Sequence, residues 1–118
     1  MVAVKRGEIY TANLSPTEGS EQSGNRPVVV VSRNAINDNS PVVLVVPCTT
    51  DRGQRIYPSQ VRIGAGEGGL PLNSIAMAEQ VRAIDQRRLS TFWGALPDET
   101  LRKLDLALLI ALDLPGQF

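Results

Sequence analysis

Two runs of β-branched apolar residues, each opened by a proline, place the strongest constraint on the fold. Residues 27–31 and 41–46 contain no charged side chain, and continuous runs of this kind are typical of strands buried on both faces. Proline is tolerated at the start of a strand, where its missing N–H does least harm. The sequence therefore predicts a sheet with these two runs as its central strands.

Shorter elements surround the two runs. Strand-like segments lie at 8–14, 60–63, 74–80 and 81–84. Short helical turns are predicted at 34–40 and 85–89, and loops at 15–25, 52–58 and the glycine-rich 64–69. A length of 118 residues suits one domain, spanning 1–118. These elements predict an α+β domain built on a small, strongly bent antiparallel sheet or barrel.

The clearest helix is the C-terminal segment that follows Pro97. Asp98 and Glu99 complement the helix dipole at its N-terminus, and leucines recur along one stripe of the segment. Further leucines and an isoleucine extend beyond that stripe, so we expect the helix to be buried on more than one side. The second covering surface belongs either to another subunit or to the same chain.

The chain has no histidine and one cysteine, which excludes several kinds of chemistry. Neither a histidine-based nucleophile system nor a structural zinc site can be assembled, and no disulfide can form within one chain. Cys48 is expected to be a buried strand residue that is not nucleophilic, and a single cysteine fits a reducing compartment. No apolar stretch resembles a secretory signal or a membrane span. We therefore expect a cytoplasmic protein whose mature chain starts at Met1.

Basic and acidic residues balance at twelve each, but arginine outnumbers lysine ten to two. Guanidinium groups suit bidentate phosphate contacts, although the codon usage of a GC-rich genome explains the ratio equally well. The balance excludes a long basic arm and leaves a local anion site possible.

The loop before the first valine run is the most unusual polar stretch. It ends in Arg26, whose backbone is fixed by the rigid strand that follows, an arrangement suited to gripping an anionic ligand. Thr49 follows the second run, and antiparallel pairing of the runs would bring Arg26 and Thr49 to one rim. Alternatively, Arg26 only tethers the loop and Thr49 only caps a turn.

Six motifs in this order resemble the MazF/PemK toxins. They are Arg-Gly-Glu-Ile-Tyr at 6–10, Leu-Ser-Pro at 14–16, Gly-Ser-Glu-Gln at 19–22, Gly24 with Arg26 and Pro27, Pro-Cys-Thr at 47–49, and Glu-Gln-Val-Arg-Ala-Ile-Asp at 79–85. The resemblance spans nearly the whole chain. It implies an SH3-like (CcdB/MazF-type) antiparallel β-barrel with a C-terminal α-helix, assembled as a homodimer.

The same resemblance implies an activity. Members are sequence-specific endoribonuclease toxins of type II toxin–antitoxin systems, and they cleave single-stranded RNA without a metal or other cofactor. Their partner is a MazE-like antitoxin, whose disordered acidic tail covers the RNA groove. The remaining alternatives are a CcdB-like toxin that binds gyrase without catalysis and a plain SH3-like binding module.

Site residues follow from the resemblance position by position. Arg26 and Thr49 match the cleavage positions. The substrate-lining positions are matched by a loop, Ser20, Glu21 and Gln22, and by a second strand carrying Glu79 and Gln80. PemK-like members have a histidine in place of Ser20 and an arginine in place of Met77, so this chain resembles the MazF branch. A mechanism that depends on that histidine is excluded.

Cleavage by the RNA's own 2′-OH needs a base, stabilisation of the phosphorane and an acid for the departing oxygen. Arg26 suits the last two roles, and the base is Arg26, Glu21 or Glu79. The expected products carry 2′,3′-cyclic phosphate and 5′-OH ends. Because aromatic residues total only 4% of the chain, we expect Met77, Phe92 and Trp93 to pack and not to stack on bases.

Overall fold

The computed structural model describes residues 4–116. The expected start of the mature chain at Met1 lies outside these residues. Within these residues the chain forms seven strands, two α-helices and three 3₁₀ turns. The strands are β1 (Glu8–Asn13), β2 (Asn25–Val30), β3 (Val42–Thr50), β4 (Gln60–Ile63), β5 (Ser74–Met77), β6 (Arg82–Asp85) and β7 (Leu89–Ala95). The helices are α1 (Asn34–Asn39) and α2 (Asp98–Leu112), and the 3₁₀ turns are Glu67–Gly69, Ala78–Gln80 and Gln86–Arg88.

The strands form an antiparallel sheet in the order β4-β5-β3-β2-β1-β7, and β6 also pairs with β3. The long strand β3 changes partner along its length. Its first half, from Val42 to Val45, pairs with β6, and its last residues, from Cys48 to Thr50, pair with β5. A strand that pairs with two partners along one edge bends the sheet. The seven antiparallel strands and the helix α2 that follows them confirm the predicted α+β fold with a C-terminal helix.

The two valine runs form neighbouring central strands, as predicted. Val28 and Val30 face one hydrophobic cluster, while Val29 between them faces a second cluster, so β2 is buried on both faces. The prediction is wrong for the start of β3. There Val42 and Leu44 are about 40% exposed, because α2 covers the second cluster only further along the sheet.

Two local predictions need correction. Residues 74–80 are not one strand, since β5 ends at Met77 and a 3₁₀ turn follows, closed by a hydrogen bond from Val81 N to Ala78 O. Thr49 lies inside β3 and does not follow it, because pairing with β5 extends β3 beyond the valine run.

Helix α2 packs one stripe on the sheet and leaves the other exposed. Leu104 and Ala107 are buried, whereas Leu106 and Ile110 are 41% and 54% exposed. The alternative in which the same chain covers both sides of the helix is therefore wrong. None of the helices among residues 4–116 has the length and hydropathy needed to cross a membrane.

Most of the arginines between residues 51 and 96 are bound within the protein. Arg62 makes an ion pair with Asp51, and Arg87 makes one with Asp85. Arg82 and Arg88 donate to backbone carbonyls at the start of the β1–β2 loop. These contacts give much of the arginine excess a structural role and leave phosphate binding to other arginines.

Candidate functional site

Arg26 and Thr49 meet across the β2–β3 pair. In the antiparallel register Val28 lies opposite Pro47, and continuing it by two residues sets Arg26 opposite Thr49. Arg26 Nη1 lies 3.5 Å from Thr49 Oγ1, and Arg26 Nε donates to the carbonyl of Ser23 at 3.0 Å. The predicted juxtaposition of these two side chains on one rim is confirmed.

These two residues open onto a cleft of about 280 Å³, here called the arginine cleft. Its lining includes polar and apolar groups, among them Arg26, Thr49, Cys48, Pro71, Leu72 and Trp93. Within residues 4–116, Arg26 Nη2 makes no hydrogen bond, so one side of the guanidinium fork is available to an anion. The cleft therefore presents two donors, a guanidinium and a hydroxyl, beside an apolar wall.

Glycine permits the backbone contact that builds this wall. Gly69 has a φ of +79°, and a Cβ there would lie 2.0 Å from the carbonyl oxygen of Trp93. At Gly94 a Cβ would lie 2.8 Å from the carbonyl oxygen of Gly68. The β4–β5 loop thus packs directly on the backbone of β7, an approach that only glycine allows. This contact brings Leu72 and Trp93 to the same cleft.

Cys48 reaches the floor of the arginine cleft but is 1% exposed. Burial raises the pKa of its thiol to about 12. A thiol with so high a pKa supplies almost no thiolate near neutral pH. The expectation that Cys48 is a buried strand residue is confirmed, and its raised pKa agrees with a thiol that is not a nucleophile.

A second cleft of about 300 Å³ lies beside the 3₁₀ turn Ala78–Gln80, and we call it the glutamine cleft. Its lining consists of loop, turn and strand residues, namely Glu21, Gln22, Pro47, Glu79, Gln80, Val81 and Arg82. The two clefts share no lining residue. The linings therefore place four of the five predicted substrate-lining residues in the glutamine cleft, and Arg26 and Thr49 in the arginine cleft.

Gln80 ties the β1–β2 loop to this second cleft. Its side-chain oxygen accepts from Gln22 N, and its Nε2 donates to Ser20 O, both at 3.2 Å. Gln22 Oε1 is buried and has no hydrogen-bond partner in the described part of the chain. An unpaired buried acceptor carries a desolvation cost that a donor from a ligand would relieve. Ser20, the fifth predicted residue, is exposed and lines neither cleft.

Neither carboxylate proposed as a base lines the arginine cleft. Glu79 lies in a 3₁₀ turn and not in the expected second strand, and it accepts from Ser59 Oγ at 3.2 Å and Gln60 Nε2 at 2.6 Å. Glu21 accepts from Glu18 N at 2.7 Å. Both groups are placed to accept hydrogen bonds from a ligand in the glutamine cleft.

Packing is the expected role of Met77, Phe92 and Trp93. Met77 is buried, and the Phe92 ring packs on Tyr10 although Phe92 is 54% exposed, so the expectation holds for these two residues. Trp93 is 37% exposed and lines the arginine cleft. Strand β7 itself was missed, although its Leu-Ser-Thr-Phe-Trp sequence has the β-branched and aromatic character that favours a strand. That signal would have placed Trp93 on the sheet, but not beside Arg26.

No group of three or more histidine, cysteine, aspartate or glutamate side chains within residues 4–116 is arranged to hold a metal ion. The arginine cleft offers a guanidinium, which donates and cannot accept, and a hydroxyl, which can donate, so both can bind an anion. The geometry of this site fits a phosphate group in contact with Arg26 and Thr49.

Comparisons with known proteins agree with this geometry. Residues 5–112 match the family model described as "PemK-like, MazF-like toxin of type II toxin-antitoxin system". Endoribonuclease EndoA of Bacillus subtilis is 41% identical over 111 residues, which cover 94% of this chain and 96% of that protein.

Solved structures show the same fold. A mycobacterial endoribonuclease in complex with its cognate antitoxin is 29% identical, with a TM-score of 0.81 over 98% of this chain and all of that one. MazF from Deinococcus radiodurans is 25% identical, with a TM-score of 0.83 over 97% of this chain and all of that one. These matches do not favour the gyrase-binding or binding-module alternatives. The chain belongs to the PemK-like, MazF-like toxins of type II toxin–antitoxin systems.

Proposed function

We propose that this chain, an endoribonuclease toxin of the MazF kind, cleaves single-stranded RNA at the arginine cleft. The observation that carries the proposal is the contact between Arg26 and Thr49, which opposes a guanidinium and a hydroxyl at 3.5 Å on an accessible rim. Anionic oxygens of a phosphate diester suit such donors, because charge-assisted hydrogen bonds are the strong ones.

The reaction is an in-line transfer within the RNA. The 2′-oxygen forms a bond to phosphorus, the bond from phosphorus to the 5′-oxygen breaks, and the products carry a 2′,3′-cyclic phosphate and a 5′-OH. Negative charge grows on the non-bridging oxygens in the transition state, where preorganised donors stabilise it. Arg26 donates to a non-bridging oxygen and to the departing 5′-oxygen, and Thr49 Oγ1 donates to the other non-bridging oxygen.

The route of the 2′-OH proton follows from the lining of the cleft. Guanidinium is a poor base because it stays protonated at all ordinary pH values. Among residues 4–116, no carboxylate lines the arginine cleft, so Glu21 and Glu79 are assigned to substrate contacts. The proton of the 2′-OH accordingly passes to water in the open cleft. Water returns a proton to the departing 5′-oxygen, which Arg26 stabilises by a hydrogen bond while it keeps its own proton.

Sequence preference is assigned to the glutamine cleft and its loop. Glu21, Gln22, Glu79 and Gln80 offer carboxylate acceptors and amide groups, which are the side chains that read the edges of unstacked bases. Ser20 adds a hydroxyl on the exposed loop beside them.

Partners follow from the family and from the complexes that its members form. The mycobacterial endoribonuclease is in complex with its cognate antitoxin, and Deinococcus radiodurans MazF is described with MazE. For this chain we propose a homodimer, a MazE-like antitoxin with an acidic disordered tail, and a cytoplasmic location. The exposed stripe of α2, with Leu106 and Ile110, is apolar surface available to one of these protein partners.

The test incubates the purified full chain with a long single-stranded RNA in EDTA. We expect discrete fragments whose 5′ ends are phosphorylated by polynucleotide kinase without prior phosphatase treatment. The matched controls are Arg26→Ala, which should lose cleavage, and Arg33→Ala, an exposed arginine that lines neither cleft. Intact RNA together with inhibition of gyrase would instead support the CcdB-like alternative.

A further inference from the structure

We propose that Trp93 and Leu72 form a wall of the arginine cleft that stacks an unpaired nucleobase next to the scissile phosphate. The inference rests on the proposed function, since it names what the apolar half of the same cleft holds. It adds a substrate contact that the family resemblance does not assign to either residue.

The first support is the division of the cleft lining into polar and apolar residues. The polar residues include Arg26 and Thr49, and the apolar residues include Pro71, Leu72 and Trp93. Leu72 is 60% exposed and Trp93 is 37% exposed, so both retain surface for a ligand. A nucleotide has the same division, because its phosphate is anionic and the faces of its base are apolar.

The second support is the fixed orientation of the indole. Trp93 Nε1 donates to Thr11 Oγ1 at 2.9 Å, which satisfies the polar edge of the ring and sets its orientation. The bonded Nε1 is not available as a donor, so a ligand meets the carbon surface of the ring. Stacking of bases on aromatic side chains uses the face of the ring and tolerates any base.

The third support is the preorganisation of the loop that carries Leu72. Ser74 Oγ donates to the carbonyl of Leu72 at 3.0 Å. The backbone of the same loop contacts β7 where Gly69 meets Trp93 O, which leaves no room for a side chain. Trp93 and Leu72 are thus held in place before a ligand arrives, and a preformed cleft loses little conformational entropy when it binds a ligand.

Phe92 shows that exposure alone does not make a stacking wall. It neighbours Trp93 on β7 and is more exposed, but its ring packs on Tyr10 with centroids 5.2 Å apart and lines neither cleft. Alternate residues of a strand point to opposite faces, and of these two neighbours Trp93 lines the arginine cleft and Phe92 does not. Phe92 is therefore the matched control for Trp93.

Trp93 is the only tryptophan of the chain, so its fluorescence reports directly on the wall. The probe is a seven-nucleotide RNA centred on the mapped cleavage site, with 2′-deoxyribose in place of the nucleophilic ribose. We expect saturable quenching of Trp93 by this probe and loss of the quenching when the bases flanking the scissile phosphate are replaced by abasic sites. Binding seen by anisotropy of a labelled probe without quenching overturns the inference.

Kinetics supply the second readout. Trp93→Leu is expected to raise KM about tenfold with kcat changed less than threefold, while Trp93→Phe keeps KM within threefold because it retains a π-face. Leu72→Ser, in an exposed loop, should raise KM about fivefold, and Phe92→Leu should change neither constant. An equal loss of kcat in Trp93→Leu and Trp93→Phe, or an unchanged KM in Leu72→Ser, contradicts the stacking wall.

The failures of the two proposals are distinguishable. If the wild-type chain does not cleave RNA, the proposed function is overturned, and the stacking role that rests on it is overturned as well. If the chain cleaves RNA through Arg26 but the probe leaves Trp93 unquenched, only the stacking wall is overturned.

Discussion

The arginine cleft and the glutamine cleft are similar in volume, at about 280 and 300 Å³, but opposite in chemistry. The arginine cleft joins donors to an apolar wall, and its one thiol is buried with a raised pKa. The glutamine cleft collects carboxylates and amides, and they hold the β1–β2 loop through Gln80. In the proposed function, the arginine cleft stabilises charge during the reaction, and the glutamine cleft accepts hydrogen bonds from the edges of the bases.

The division also explains how the chain manages without histidine. In the proposed mechanism the protein contributes mainly the stabilisation of a dianionic phosphorane, and a guanidinium supplies that stabilisation at any ordinary pH. Glu21 and Glu79 in the glutamine cleft then need no role as acid or base in catalysis. Their carboxylates can accept hydrogen bonds from the nucleobases of the RNA.

The largest expected effect comes from the guanidinium of the arginine cleft. Arg26→Ala should lower kcat by roughly 10²- to 10³-fold with little change in KM, because it removes a donor used mainly in the transition state. Single-turnover cleavage of a short RNA measures both constants. Arg33→Ala serves as the control for lost surface charge, and a kcat for Arg26→Ala within threefold of wild type would refute the assignment.

Gly69→Ala should damage the arginine cleft and leave the glutamine cleft intact. A Cβ at Gly69 would overlap the carbonyl of Trp93 at a positive φ, so the free energy of unfolding should fall by about 3 kcal/mol. Denaturant unfolding measures the loss. The control is Gly66→Ala, in the same loop with a φ of +94° but open space around it, for which we expect about 1 kcal/mol. Equal losses in the two variants would show that packing on β7 is unimportant.

Thr49→Val tests the hydroxyl of the arginine cleft without changing side-chain volume. Removing one hydrogen bond to a charged oxygen should lower kcat by about 10- to 100-fold, and Thr49→Ser should recover most of the rate. The same single-turnover assay applies, with circular dichroism to confirm folding. An effect confined to KM would show that Thr49 contributes to substrate binding and not to catalysis.

The smallest effect is expected in the glutamine cleft. Gln80→Ala removes the hydrogen bonds to Gln22 N and Ser20 O that hold the β1–β2 loop, so KM should rise about fivefold while kcat stays within twofold. Cleavage of a set of RNAs that differ at one base should also show relaxed preference. A loss of kcat as large as that of Thr49→Val would contradict the assignment of different roles to the two clefts.

The sequence predicted the parts of this molecule that depend on local pattern. The valine runs identified β2 and β3, and antiparallel pairing was enough to set Arg26 opposite Thr49. Pattern could not show that β3 changes partner from β6 to β5, since that pairing joins residues distant in the chain. The expectation that Thr49 follows the strand failed for this reason.

Other parts of the site depend on contacts between distant segments. Composition suggested that Trp93 packs, but a count of aromatics carries no information about which faces remain exposed. Its place in the cleft depends on the contact between Gly69 and the β7 backbone, and a glycine-rich segment alone indicates only a turn. The position of Glu79 in a turn likewise depends on a hydrogen bond from Ala78 N to Ser59 O.

The most direct test of the division between the clefts is the position of the scissile phosphate in a crystal structure with a non-cleavable RNA. A seven-nucleotide RNA centred on the cleavage site, with 2′-deoxyribose in place of the nucleophilic ribose, traps the complex before reaction. We expect its scissile phosphate within hydrogen-bonding distance of the Arg26 guanidinium and Thr49 Oγ1, with base edges against Gln22 and Gln80. A scissile phosphate bound in the glutamine cleft beside Arg82, with Arg26 still bonded only to the Ser23 carbonyl and Thr49, would contradict the account.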